Sequence, residues 1–159
     1  DNTIYDESVK YAAIFSGQDK DVKSHVLEQL KSRNSRIKLV FCSSVMGLGF
    51  DSEFIDRVVH GKPTYTMAQY VQEFGRAGRA GQQSDAILYF NKNDLSECKR
   101  LERKKPKMEV VMSNYCTSDT CLRAVILKHF GFVKTTSSPE GCKCCTICEV
   151  TCTCNLCTS

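Results

Sequence analysis

Two arginines, Arg76 and Arg79, stand three residues apart within Gln72-Glu73-Phe74-Gly75-Arg76-Ala77-Gly78-Arg79-Ala80-Gly81. A guanidinium keeps its charge at any physiological pH, and its planar fork of donors matches phosphate oxygens. The small residues around it leave room for a nucleotide or a backbone to approach, and three glycines work against a long regular helix. The chemistry suggested is that of arginines held at the edge of an element and aimed at a polyphosphate. A solvated basic loop is the bland alternative. A second glycine-bearing stretch, residues 43–51, directly follows a predicted strand. Its Gly47 and Gly49 permit a tight turn at the carboxyl end of that strand, where open α/β sheets bind ligands. Asp51 is placed to accept a hydrogen bond from a ribose hydroxyl. The two stretches are expected to follow or join strands of one sheet and to share an edge.

Cysteine supplies the second chemistry. Of eleven cysteines, Cys42 and Cys98 are isolated, and the other nine lie between Cys116 and Cys157. A disulfide-stapled domain would spread its cysteines through the core, whereas crowding at one end points to thiolate ligands for zinc in a reducing compartment. Cys121, Cys142, Cys145 and Cys148 offer four soft donors, with Cys121 opening a helix and the other three on the loop that returns to it. Cys116, Cys144, Cys152, Cys154 and Cys157 remain. Cys144 with the last three would suit a second metal site, and Cys116 could replace Cys121. Surplus thiols in a loose tail are the commoner case. His129 lies on the same helix, where a core or surface histidine is commoner than a ligand.

These groups need elements to hold them. Residues 18–33 place Val22, Val26, Leu27 and Leu30 at helical spacing. Residues 37–43 read as a buried strand in which Cys42 merely packs, and residues 54–60 and 86–90 as further strands. A helix over 66–74 has Thr64 or Thr66 as its N-cap. The alternation predicts an α/β sheet with helices on its faces. A charged helix over 94–105 ends before Pro106 and marks a boundary, its basic run reading as a solvated face. Residues 121–130 form an amphipathic helix stopped by Gly131. A chain of 159 residues is enough for a medium domain with a small appendage, and its net charge of +4 is compatible with nucleic acid without demanding it. No apolar run reaches the length of a membrane span. With Asp1 first and no signal sequence, the chain is read as part of something longer.

From about Ile14 to Phe90, the order strand, Ser-Ser-x-x-Gly-x-Gly-x-Asp, strand ending Val-Val-His60, helix, and Gln72-Glu73-x-Gly75-Arg76-Ala77-Gly78-Arg79-x-Gly81 resembles motifs V and VI of the second RecA-like lobe of RecQ-family DNA helicases. Downstream, Cys121-Leu122-Arg123 and Leu127-Lys128-His129-Phe130-Gly131 resemble the opening helix of the RecQ zinc-binding subdomain. The resemblance implies a partial RecA-like parallel-sheet lobe over 1–93, a small helical zinc-binding subdomain over 94–150 and a Cys-rich tail over 151–159. It makes Arg79 the arginine finger on the γ-phosphate, supported by Arg76 and Gln72. Gly47, Gly49 and Asp51 would couple nucleotide to DNA strand, and Cys121, Cys142, Cys145 and Cys148 would hold a structural Zn²⁺. The chain departs from the family pattern at Ala80, where an Asp is usual, and at Val45-Met46, where Ala-Phe is usual.

No Gly-x-x-x-x-Gly-Lys-Ser/Thr loop and no Asp-Glu-x-His segment occurs. The chain therefore offers the arginine side of an ATP site, and by itself is expected neither to bind ATP tightly nor to hydrolyse it. A winged-helix domain is not expected within these residues. The expectation is the C-terminal half of the core of an ATP-dependent 3′→5′ DNA helicase. ATP with Mg²⁺ would be its cofactor, and single-stranded DNA and duplex junctions its partners. It would work in repair or recombination, in the nucleus or another reducing compartment, with no membrane. The alternatives are a non-catalytic zinc-stabilised module that binds nucleic acid or protein, and a metallothionein-like thiolate sink.

Overall fold

The computed structural model describes residues 10–43, 51–96, 108–132 and 143–151. Two β-α-β units carry the arginine segment. In the first, strand β1 (Tyr11–Ile14) leads through helix α1 (Lys20–Leu30) to strand β2 (Leu39–Cys42). The strands pair in parallel, with Tyr11 opposite Leu39 and Ile14 opposite Cys42. Parallel strands need a crossover, and α1 supplies it. Asp19 starts that helix: its carboxylate accepts from the backbone N–H of Asp21 at 2.8 Å and of Val22 at 3.4 Å. One apolar stripe then faces inward, burying Val26, and Ile14 is buried in β1. Strand β1 was not among the expected elements, because Tyr-Ala-Ala-Ile is too short and too small to stand out.

In the second unit of this kind, β3 (Arg57–His60) leads through α2 (Met67–Phe74) to β4 (Asp85–Leu88), again in parallel, with Arg57 opposite Asp85. The Arg57 guanidinium meets the Asp85 carboxylate at 2.7 Å across the pair. Thr66, one of the two expected caps, accepts from the Gln69 N–H at 3.0 Å, while Thr64 donates its hydroxyl to the Thr66 carbonyl. The α/β class and the parallel pairing are as expected, but the described strands form two separate pairs rather than one sheet. Most of the segment leading from β2 to β3, residues 44–50, lies outside the described residues.

The chain groups into two compact units, Asp1–His60 with Val71–Leu88, and Gly61–Tyr70 with Tyr89–Ser159. The switch at Leu88 falls close to the boundary read at 93, but the short stretch 61–70 groups with the C-terminal unit. The reason is the core of that unit. Met67 and Tyr70 are buried together with Met112 and Tyr115 of helix α4 (Val110–Cys116), following α3 (Lys92–Ser96). The tyrosine rings lie 5.4 Å apart at 56°, a favourable tilted geometry. Glu109 ties the same elements through polar groups. Its carboxylate accepts from the Met67 N–H at 3.0 Å, and its own N–H donates to the Tyr65 carbonyl at 2.8 Å. Helices α5 (Leu122–His129) and α6 (Thr146–Thr151) complete this unit, and neither fully buries a side chain. Among the described residues, no helix is long and apolar enough to cross a membrane.

Candidate arginine loop and thiol metal centre

Helix α2 ends because glycine follows it. The Gly75 N–H still donates to the Val71 carbonyl at 2.9 Å, but a Cβ at Gly75 would sit 2.8 Å from that same oxygen. Three residues later Gly78 takes φ +73°, where a Cβ would meet the Ser84 hydroxyl oxygen at 2.5 Å. A side chain is excluded there twice, by backbone conformation and by space. The chain therefore turns sharply on either side of Arg76 and Arg79, and the two arginines part company. Arg76 is buried and engaged with its surroundings. Strand β2 is largely exposed rather than buried, Cys42 included; the surrounding protein and the Glu73 carboxylate push its thiol up, and Arg76 pulls it the other way. Glu73 also meets His60, Oε2 to Nε2, at 2.9 Å.

Arg79 points outward. Its guanidinium pairs with the Asp51 carboxylate, and its Nε donates to the Gly75 carbonyl at 3.3 Å. Asp51 keeps 74% of its side-chain surface in water. An ion pair so exposed contributes little stability, about 0–1 kcal/mol, and yields readily to a better anion. The structure thus brings Asp51 and Arg79 together, with the carboxylate suggested for a ribose resting on the arginine suggested for a phosphate. Gln72 is exposed on α2. Gly47 and Gly49 lie outside the described residues. The sequence reading missed Gln82, whose amide ties this loop to residues 53–55. A glutamine one residue beyond the last glycine carries no signal of its own.

The second centre is built on α5 and α6. The sulfurs of Cys121, Cys144, Cys145 and Cys148 all lie within 4.8 Å of one another, and Cys121 and Cys144 are 3.6 Å apart. A zinc tetrahedron with Zn–S bonds of about 2.3 Å has edges of about 3.8 Å, so the donor set fits that metal. Cys121 stands at the N-cap of α5, and Cys145 and Cys148 flank the start of α6. Among the described residues, Cys144, which the spacing had left among the surplus, joins the other three. Cys142 lies outside the described residues, as do Cys152, Cys154 and Cys157. Burial disfavours ionisation of Cys145, but backbone N–H groups of Cys148, Leu122 and Ile147 donate to its sulfur and hold it near 7. Hydrogen bonds to Cys145 and Cys121 push Cys148 up to about 12.

Comparison with known proteins gives two family matches. Residues 2–81 match the model of the helicase conserved C-terminal domain, and residues 82–149 that of the RecQ zinc-binding segment. The second match spans the thiol cluster and supports zinc as the metal it would hold. The ATP-dependent DNA helicase RecQ of Bacillus subtilis is 29% identical over 90% of this chain and 25% of its own length. The RecQ helicase of Haemophilus influenzae is 25% identical over 81% of this chain and 22% of its own. The mouse bifunctional 3′-5′ exonuclease/ATP-dependent helicase WRN is 32% identical over 76% of this chain and 9% of its own. The chain thus spans a quarter or less of the length of these relatives.

Proposed function

Because this chain belongs to the helicase C-terminal domain family in its RecQ form, with the zinc-binding segment following the lobe, we propose that it is the arginine-bearing part of an ATP-dependent 3′→5′ DNA helicase. The observation that carries this reading is Arg79, exposed at a glycine turn and ion-paired with a water-facing carboxylate. A phosphoryl group in transfer spreads negative charge over its oxygens, and a positioned guanidinium stabilises that charge. Arg79 is the group to do so, exchanging Asp51 for phosphate. Buried Arg76 shapes the turn beneath it, and Gln72 stands on the exposed side of the same helix. Gly47, Gly49 and Asp51 form the neighbouring segment that passes nucleotide state to the DNA strand.

ATP and Mg²⁺ would be held chiefly by a lobe outside this sequence. Single-stranded DNA and duplex junctions would be gripped mainly at backbone phosphates, with steep salt dependence. The zinc is structural. A reducing compartment belongs to the same proposal, on the crowding of thiols toward one end of the chain. The relatives include bacterial proteins, so the likeness does not favour a nucleus over any other such compartment. A setting in DNA repair or recombination rests on the resemblance alone and belongs to the same proposal.

The test is to express the chain together with the coding sequence that precedes it and to compare wild type with Arg79→Ala. DNA-stimulated ATPase and unwinding should fall by on the order of a thousandfold, with DNA binding retained. Unchanged ATPase in Arg79→Ala would sink the reading.

A further inference from the structure

Arg79 is exposed, yet the loop on either side of it is tied down. Gly78 donates its N–H to the Ile55 carbonyl at 3.0 Å. Ala80 donates its N–H to Gln82 Oε1 at 3.0 Å. The other end of that amide, Gln82 Nε2, donates to the Glu53 carbonyl at 2.6 Å and lies 3.5 Å from the Ile55 carbonyl. The orientation is forced. Reversed, the amide would set N–H against N–H and carbonyl against carbonyl. Gln82 is thus a clamp whose acceptor holds the residue after Arg79 and whose donor holds the chain that begins at Asp51, the carboxylate on which Arg79 rests.

We infer that Gln82 is the positioning residue of the arginine loop: its side-chain amide fixes the backbone at 80 against the carbonyls at 53 and 55, and so sets where the Arg79 guanidinium can reach. The inference rests on the phosphate-directed role proposed for Arg79. Gln82 does not touch the guanidinium, so it acts through the backbone. It is half-buried on a water-facing loop, where an Ala80 N–H released from the clamp finds water instead. Losing the clamp should therefore cost little stability and much geometry, and misplacing a reacting group by about 1 Å can cost about a hundredfold in rate.

Three variants separate these effects. Gln82→Ala removes the amide, Gln82→Met keeps its length without its hydrogen bonds, and Gln82→Glu keeps the acceptor for Ala80 but sets a carboxylate against two carbonyls. In this chain, NMR should show faster exchange of the Ala80 amide and a shifted Arg79 Nε–H signal in Gln82→Ala and Gln82→Met, with the amides of Val71–Phe74 and the melting temperature unchanged. In the longer protein, kcat for ATP hydrolysis should fall about tenfold or more with KM for ATP nearly constant, and Gln82→Glu should lie between the extremes. Unaltered Ala80 exchange would overturn the clamp. Wild-type kcat in Gln82→Ala and Gln82→Met, in a protein that Arg79→Ala inactivates, would overturn its positioning role. Wild-type ATPase in Arg79→Ala itself would count against the phosphate role of Arg79, and the NMR arm would still decide whether Gln82 places that side chain.

Discussion

Residue types announced the chemistry of both centres, but neighbours in space decided which residue does what. Arg76 and Arg79 look equivalent in sequence; one is buried and the other exposed, and the left-handed Gly78 turns the chain between them. Composition cannot show this, since it depends on where the Val71 carbonyl and the Ser84 hydroxyl lie. The cysteines make the same point. Spacing favoured knuckles two residues apart and so selected Cys142, which lies outside the described residues; among those described, Cys144 clusters with Cys121, Cys145 and Cys148. Four thiols already satisfy zinc. Cys144→Ser is therefore expected to lose bound zinc during competition with a chelator, by about tenfold or more in affinity, while Cys142→Ser keeps it. Metal content measured on the two purified variants decides this, and retention by Cys144→Ser would return the fourth place to Cys142.

At the scale of elements, the longest amphipathic segment was the most legible: α1 has its cap at Asp19 and buries Val26, one of the four residues picked out by spacing. Strands β2, β3 and β4 were legible as apolar runs, each longer than the strand itself, but β1 was not, and the arrangement as two parallel pairs had no signal in any single run. Helix α4 was missed. Its seven residues show no clear stripe, and the partners that justify Met112 and Tyr115 lie some forty residues earlier on α2. That packing has a pH signature. Burial, with the Tyr70 hydroxyl beside it, pushes the Tyr115 phenol well above the ordinary tyrosine range, and burial also raises Tyr70. A phenol raised in the folded state favours the fold while it stays protonated. Its contribution is complete below the unfolded value of about 10 and is lost as pH climbs toward the folded one. Alkaline titration should then show two late phenolates whose absorbance rises together with loss of helix. Tyr115→Phe should remove one of them and delay the unfolding. Two phenolates that appear without any loss of helix would contradict the packing described for α2 and α4.

At the scale of the molecule, the two units are held by different physics. The unit that contains the paired strands has strand ladders, a capped helix and buried Ile14 and Val26. Among the described residues, the other buries four large apolar side chains, Met67, Tyr70, Met112 and Tyr115, and these belong to α2 and α4. Helices α5 and α6, eight and six residues long, bury none. Isolated helices that short do not persist in water. What remains to hold them is the thiol cluster, with one ligand at the cap of α5 and three around the start of α6. In small units of this kind the free energy of binding zinc becomes free energy of folding. A chelator should therefore melt α5 and α6 while leaving β1 to β4 and α1 intact. Hydrogen exchange read by mass spectrometry would show protection lost over 122–129 and 146–151 and kept over 11–42 and 57–60, and restored zinc should bring it back. Loss of protection in every segment at once would make zinc a support for the whole chain, and no loss over 122–129 would mean that apolar contacts only half out of water suffice for α5.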